Sequence, residues 1–252
     1  PMATSATEKR LSPIIILLLV AALVAVIALW ATQTVQRGGA VQQDSAAARD
    51  TQVHEWKLVT TWPKNFPGLG SAAENLSRMV DEMSGGRLKI HVYGGGEIVP
   101  ALGVFDAVSR GVAQAGHGAA YYWKGKVPSS VYFTAVPFGL NAQEMYGWLH
   151  YGGGLELWEE AYAPFNLLPM AGGSTGVQMA GWFNKEINTV DDLKGLKMRI
   201  PGLGGEVLKR AGGVPVSLPG NEVFTNLQTG VIDAPEWVGP YNDLALALHT
   251  VA

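Results

Sequence analysis

At 252 residues, 48% apolar and 15% charged, the chain is long enough to bury one large core or two small ones. A formal net charge of −3 with no basic run excludes the phosphate-binding surface of a nucleic-acid protein, and the absence of cysteine excludes disulfides, thiol catalysis and thiolate metal sites. The 32 glycines are scattered rather than periodic, so they read as tight connections and not as low complexity.

Lys9 and Arg10 precede an apolar run from Ile14 to Trp30, intermediate in length between a signal-peptide core and a minimal membrane span. Small residues suited to cleavage, Ala46 to Ala48, come only well downstream, so a cleaved leader and an uncleaved anchor both stay open. Either one exports the rest of the chain, and the positive charges before the run agree with that orientation. Residues 31 to 53 are polar with no apolar period and read as a tether, which gives an N-terminal segment 1–53 and a folded part 54–252.

From there strand and helix patterns alternate. Trp56 to Thr61 reads as a strand, and the loop after it carries Trp62 and Phe66 between prolines. Gly70 to Met83 reads as a helix with Leu76, Met79, Val80 and Met83 on its apolar face, and Gly85-Gly86 ends it. Next come a strand from Arg87 to Tyr93, a helix from Pro100 to Arg110 and a short strand from Ala113 to Gly118. This order at these lengths predicts parallel βαβ units with right-handed crossovers, an α/β class. Tyr121 to Phe138 is aromatic and interrupted by prolines. Gln143 to Tyr162 is helical but split at Gly152 to Gly154. Strands are expected over Asn166 to Ala171, Gly176 to Phe183, Val214 to Ser217 and Val231 to Asp233, with helices over Gly205 to Ala211, Asn221 to Thr229 and Leu244 to Leu248.

The most informative stretch is Val190 to Gly202. A helical turn, opened by Thr189 or Asp191, closes on Gly195, and the strand after it delivers Arg199 just before Pro201 stops it. Ligands of open α/β sheets bind at the carboxyl ends of strands, and the planar fork of arginine suits a carboxylate there.

Four segments in this order, TTWPKNFPGLG, LKIHVYGGGEIVPALGVFDAVSRGVAQAGH, DLKGLKMRIPG and NEVFTNLQTGVIDAPEW, resemble the solute-binding proteins of tripartite ATP-independent periplasmic (TRAP) transporters. The first segment and the Glu-Trp after Asp233 look like the branch that binds 2-oxo or 2-hydroxy acids together with a metal ion. The resemblance implies a periplasmic solute receptor, not an enzyme, with two α/β domains around a cleft, a hinge that closes on a small carboxylate such as pyruvate or lactate, and docking on TRAP membrane subunits. It implies Arg199 as the carboxylate clamp, Gln178 as a ligand or cation contact, and Glu236 with the Trp237 carbonyl as further ligands of Na⁺ or Ca²⁺. Trp62, Phe66 and Tyr122, with Tyr121 and Trp123, are expected on the pocket wall because they lie in loops after strands. Asn226, inside a helix, is a weaker substrate-binding candidate. Members of the family continue beyond the point matching Ala252, so the C-terminal part is expected to be truncated, with a homodimer possible only in a longer form.

One rival pattern is present. Gly172 to Gly176 matches G-x-S-x-G, and Asp233 and His249 come after Ser174 in the order of an α/β-hydrolase triad. That motif needs a helix after the serine, whereas Val177 to Phe183 favours a strand. The five histidines, His54, His91, His117, His150 and His249, are scattered and predict no histidine metal site.

Overall fold

The computed structural model describes residues 21–29 and 52–252, which fall into two units, Pro1–Gln52 and Val53–Ala252. In the first, residues 21–29 are helical. The rest of the Ile14 to Trp30 run and nearly all of the tether lie outside the described residues. Among the described residues no helix is long and apolar enough to cross a membrane.

The second unit holds two small parallel sheets of the same design. In the first, β1 (His54–Thr60) lies between β2 (Leu88–Tyr93) and β3 (Ala115–His117), giving the order β2-β1-β3. Leu58 and Val59 point to opposite faces, as the two-residue period of a strand requires. Leu58 joins Ala73, Ile90 and Val92. Val59 joins Val104, Phe105, Trp123 and Tyr162. Each is nearly inaccessible, which stabilises the sheet by about 2 kcal/mol per side chain.

Helix α1 (Leu69–Ser84) connects β1 to β2 and ends on Gly85 in the left-handed conformation. Its inward face is not the expected one. Gly70 and Ala73 are buried and the Ser77 hydroxyl donates to the Ile90 carbonyl, while Leu76, Met79 and Met83 are exposed. Small residues let the helix axis approach the strands closely, and of the large apolar residues expected there only Val80 packs inward. A 3₁₀ turn (Ala101–Gly103) leads into α2 (Val104–Ser109) and so to β3. Two further 3₁₀ segments, Ala120–Trp123 and Pro128–Phe133, occupy the aromatic stretch. Helix α3 (Ala142–Tyr151) starts from an Asn141 cap reinforced by Glu144, and α4 (Gly154–Tyr162) begins across the predicted glycine break.

The second sheet has the order β5-β4-β6, with β4 (Lys197–Arg199) between β5 (Val214–Val216) and β6 (Ala234–Pro235). The 3₁₀ turn Val190–Leu193 precedes β4, and Thr189 caps it with Asp192 as partner. Helix α5 (Gly202–Arg210) joins β4 to β5, and α6 (Gly220–Gln228) leads toward β6. Strand β6 begins three residues later than expected because the Val231 and Ile232 amides still bond the Asn226 carbonyl and so keep the chain on the end of α6. Short α7 (Pro240–Asp243) comes next, and the helix expected over Leu244 to Leu248 is replaced by turns and a 3₁₀ segment (Leu248–Thr250).

The strands expected over Asn166 to Ala171 and Gly176 to Phe183 do not form. Gly173, Gly176 and Gly181 take φ values of 152°, 73° and 147°. Backbone in that region cannot continue a regular ladder. Two bonds survive, from the Met179 amide to the Val238 carbonyl and from the Trp182 amide to the Pro235 carbonyl, so the segment runs beside β6 without becoming a strand.

Candidate functional site

In a sheet whose central strand precedes both neighbours, the connections leave in opposite directions and open a crevice at the carboxyl edge between the strands flanking the switch point. In the second sheet that crevice lies between β4 and β6, and both Arg199 and Glu236 stand at its mouth. Arg199 is 1% exposed and Glu236 is 8% exposed. Arginine Nη1 donates to the Glu236 carboxylate at 3.0 Å and to the Glu236 carbonyl at 2.7 Å, Nε donates to the Leu218 carbonyl at 3.1 Å, and Nη2 donates to the Tyr122 hydroxyl at 2.9 Å. The guanidinium carbon lies 4.6 Å from the centre of the Trp237 ring. Four of the five N–H bonds of the guanidinium are therefore engaged by the protein.

Electrostatics here are set by dehydration. Burial pushes the Glu236 carboxyl up to about 7, opposed by Arg199 and reinforced by Asp243. Burial works against the charge of Arg199 as well, but Tyr122 and Glu236 outweigh it and hold the guanidinium protonated. Tyr121, packed edge-on against Tyr122 at 4.8 Å, has its hydroxyl pushed up chiefly by burial and stays neutral.

Aromatic residues from the first sheet's loops complete the surroundings. Tyr122 arrives on the 3₁₀ turn just after β3. Phe66, in the loop after β1, packs edge-on against Trp237 at 6.1 Å. The Asn242 side-chain amide donates to the Pro67 carbonyl and fastens the same loop to α7. Trp62 is buried at the carboxyl end of β1, edge-on to His117 at 4.6 Å. Trp123 is in the core, against Phe105.

Arg199, Glu236, Trp237, Tyr122 and Phe66 are thus brought together. Gln178 is not: its side chain is exposed and its amide donates to the Thr175 hydroxyl at 2.9 Å, although its neighbour Met179 is bonded to Val238. Asn226 donates back to the Glu222 carbonyl of its own helix at 2.8 Å. Sequence reasoning missed Asp243. It is fully buried, accepts from the Val238 and Gly239 amides at 3.0 Å and from Trp182 Nε1 at 2.8 Å, and so fixes the loop that carries Glu236 and Trp237. The only signal for it in the sequence is an acid three residues beyond a Gly-Pro helix start.

Of the oxygen donors expected for a cation, the Glu236 carboxylate and the Trp237 carbonyl belong to adjacent residues at the mouth of the crevice, and the Gln178 amide oxygen does not join them. Such a set fits a hard ion such as Na⁺ or Ca²⁺. Among the described residues no cluster of three or more His, Cys, Asp or Glu is placed to hold a metal ion.

The hydrolase pattern does not assemble. The Ser174 hydroxyl accepts from the Gly176 amide, Asp233 accepts from the Lys197 amide, and His249 lies against Trp182. Residues 175–189, directly after Ser174, form no helix.

The family model of the bacterial extracellular solute-binding proteins, family 7, matches residues 58–252. The chain belongs to this family. A curated relative from Nostoc, a monocarboxylate 2-oxoacid-binding periplasmic protein, is 51% identical over 197 residues, covering 78% of this chain and 54% of its own. A TRAP periplasmic solute-binding protein from Pseudoalteromonas atlantica, solved with sodium and pyruvate, is 52% identical with a TM-score of 0.78, over 80% of this chain and 61% of that one. Its counterpart from Colwellia psychrerythraea, solved with calcium and pyruvate, is 50% identical with a TM-score of 0.77 and the same coverage. A TRAP solute-binding protein from Bordetella bronchiseptica, a dimer with calcium and picolinate, is 39% identical with a TM-score of 0.78, over 80% of this chain and 60% of that one. The chain therefore spans a little over half the length of the curated relative.

Proposed function

We propose that this protein is the extracytoplasmic receptor of a TRAP transporter and binds a small 2-oxo or 2-hydroxy carboxylate, with pyruvate as the reference ligand, together with Na⁺ or Ca²⁺. The observation that carries this reading is a fully buried arginine at the switch point of a parallel sheet, ringed by aromatic residues and paired with a carboxylate that burial has already driven toward neutrality. Relatives at 50% identity or more with pyruvate and either cation support it.

Arg199 supplies the charge that a buried carboxylate needs. Among the described residues one Nη2–H is left unengaged, and two contacts of the guanidinium, from Nη2 to the Tyr122 hydroxyl and from Nη1 to the Glu236 carboxylate, are to side chains. A carboxylate takes that N–H and displaces one of these. The two backbone contacts, to Leu218 and Glu236, hold the guanidinium plane while that exchange occurs. A cation held by the Glu236 carboxylate, the Trp237 carbonyl and Gln178 supplies a second positive charge. For Gln178 this requires its segment to move: Met179 is bonded to Val238, and Trp182 is bonded to Pro235 and, through Nε1, to Asp243, so the movement has to come from the part that precedes these anchors. Trp62, Phe66 and Tyr122 form walls that exclude water, and Asn226 acts at most through its helix.

Delivery to the bacterial envelope through the N-terminal apolar run, whether as leader or as anchor, and docking on TRAP membrane subunits belong to the same proposal. Hinge closure results if the ligand makes contacts available in the closed state alone. Equilibrium dialysis with labelled pyruvate tests it: saturable binding is expected in the native protein and none in Arg199→Ala, and equal binding by the two proteins removes Arg199 as the clamp.

A further inference from the structure

The first sheet repeats the topology of the second, with the order β2-β1-β3 matching β5-β4-β6. Its switch point therefore lies between β1 and β3, at the carboxyl edge, where Thr60 is in register with His117 and the Thr61 amide bonds the His117 carbonyl at 3.0 Å. Three polar side-chain atoms at this edge are buried and have no hydrogen-bond partner among the described residues: Thr61 Oγ1, Trp62 Nε1 and His117 Nδ1. Thr61 is 1% exposed and Trp62 is 5% exposed. A buried hydroxyl, indole or imidazole left unpaired costs about 1–3 kcal/mol each, so three at one edge call for a partner that the fold itself does not provide.

The chain carries both strands of this edge on to the Arg199 site. Five residues past His117 the chain presents Tyr122 to Arg199, and four residues past Trp62 it presents Phe66 to Trp237. Loop residue Gly172 comes so near the imidazole that a Cβ there would lie 3.2 Å from His117 Nε2.

Building on the receptor reading above, we infer that Thr61, Trp62 and His117 form an uncharged polar jaw that hydrogen-bonds the ligand's second oxygen, the carbonyl or hydroxyl on the carbon next to the carboxylate. His117 is the central member. Burial lowers it from 6.5 to about 4, so the ring is neutral at physiological pH. A neutral imidazole offers either a donor or an acceptor at Nδ1, depending on its tautomer, and so accommodates a carbonyl or a hydroxyl alike. Trp62 Nε1 can only donate, and the Thr61 hydroxyl does either. The two jaws divide the work: Arg199 supplies charge for the carboxylate, and the first sheet distinguishes a 2-oxygenated acid from a plain one. Sites that hydrogen-bond a substrate oxygen discriminate strongly against analogues lacking it, because their own polar atoms are then left unpaired.

The test is calorimetric titration of pyruvate and of propionate, which lacks the second oxygen, into the full chain and into His117→Leu, His117→Gln and Trp62→Phe. The native protein should prefer pyruvate. His117→Leu should weaken pyruvate about tenfold or more while leaving propionate unchanged. His117→Gln, which keeps a donor and an acceptor, should recover part of the loss, and Trp62→Phe, which keeps the ring but not the N–H, should lower the preference as well. A pyruvate-to-propionate ratio unchanged in both His117→Leu and Trp62→Phe, or an equal loss for both acids, overturns the inference and leaves the receptor reading intact. Failure of the native protein to bind any 2-oxo acid overturns both, and is seen before any variant is made.

Discussion

Arg199→Ala exposes the energetics of the site most severely. It deletes four hydrogen bonds and the cation over Trp237, and leaves Glu236, 8% exposed, with no positive partner. Removing one side of a buried ion pair costs about 3–5 kcal/mol, a large share of the ~5–15 kcal/mol that holds a domain together. Protonation limits the cost. Glu236 already titrates at about 7 with Arg199 in place, and Arg199 is the main group opposing burial, so the variant's carboxyl moves higher still. An acid whose folded value is raised binds its proton more tightly in the native state than in the unfolded chain, so stability declines as pH rises through the window from about 4.5 to beyond 7. The slope approaches about 1.4 kcal/mol per pH unit for one proton. Urea unfolding followed by tryptophan fluorescence at about pH 6 and about pH 8.5 reads this directly: Arg199→Ala should lose more stability at the higher pH, and adding Glu236→Gln should recover about 2 kcal/mol there. Equal destabilisation at both pH values, with no recovery in the double variant, refutes the claim that an uncompensated buried carboxylate is the cause.

His117 gives the opposite sign. Its folded value is depressed from 6.5 to about 4, so the unfolded chain takes the proton first, and the stability it contributes is full above 6.5 and lost as pH falls toward about 4. The loss should reach about 3 kcal/mol, and His117→Gln should flatten that part of the pH–stability curve relative to the native protein. Gly220→Ala should displace the indole above it, because a Cβ there would lie 2.6 Å from Trp237 Cη2; the expected cost is about 1–3 kcal/mol in stability and a weaker pyruvate isotherm. Asn141→Ala removes the bond that the Asn141 side chain accepts from the Glu144 amide, one half of the α3 capping box, and should cost about 1 kcal/mol in thermal or urea unfolding without changing ligand affinity. Ser174→Ala should leave pyruvate binding unchanged, and a fluorophosphonate should label neither form.

Much of the architecture was legible because local signals agreed with tertiary ones. Thr189 as a cap, Gly195 as a turn and Pro201 as a stop placed β4 and its terminal Arg199 within a residue, and Gly152 to Gly154 marked the break between α3 and α4. The errors came where packing overrode pattern. The apolar residues of α1 predict a face of Leu76, Met79 and Met83, but a helix seated tightly on a sheet is better served by Gly70 and Ala73, and the large side chains turn outward. In loop 172–183 apolar residues such as Val177 and Trp182 suggest a strand, whereas the φ values of its glycines forbid one. The site was legible in part: Arg199, Glu236 and Trp237 stood in recognisable motifs, Tyr122 and Phe66 in loops after strands. Asp243 was not, because it belongs to no sequence motif, and His117 closes a recognised segment that by itself gives the imidazole no role. Asp243 matters through the amides it collects, and His117 through a register with Thr60 that exists only once β1 and β3 are paired.

The most direct measurement for the central claim is calorimetric titration of pyruvate into the chelator-treated protein, first without added cation and then with Na⁺ or Ca²⁺. The account predicts heat that appears or strengthens at least tenfold with one of the cations and vanishes in Arg199→Ala. Pyruvate binding that is indifferent to both cations and survives Arg199→Ala would contradict it.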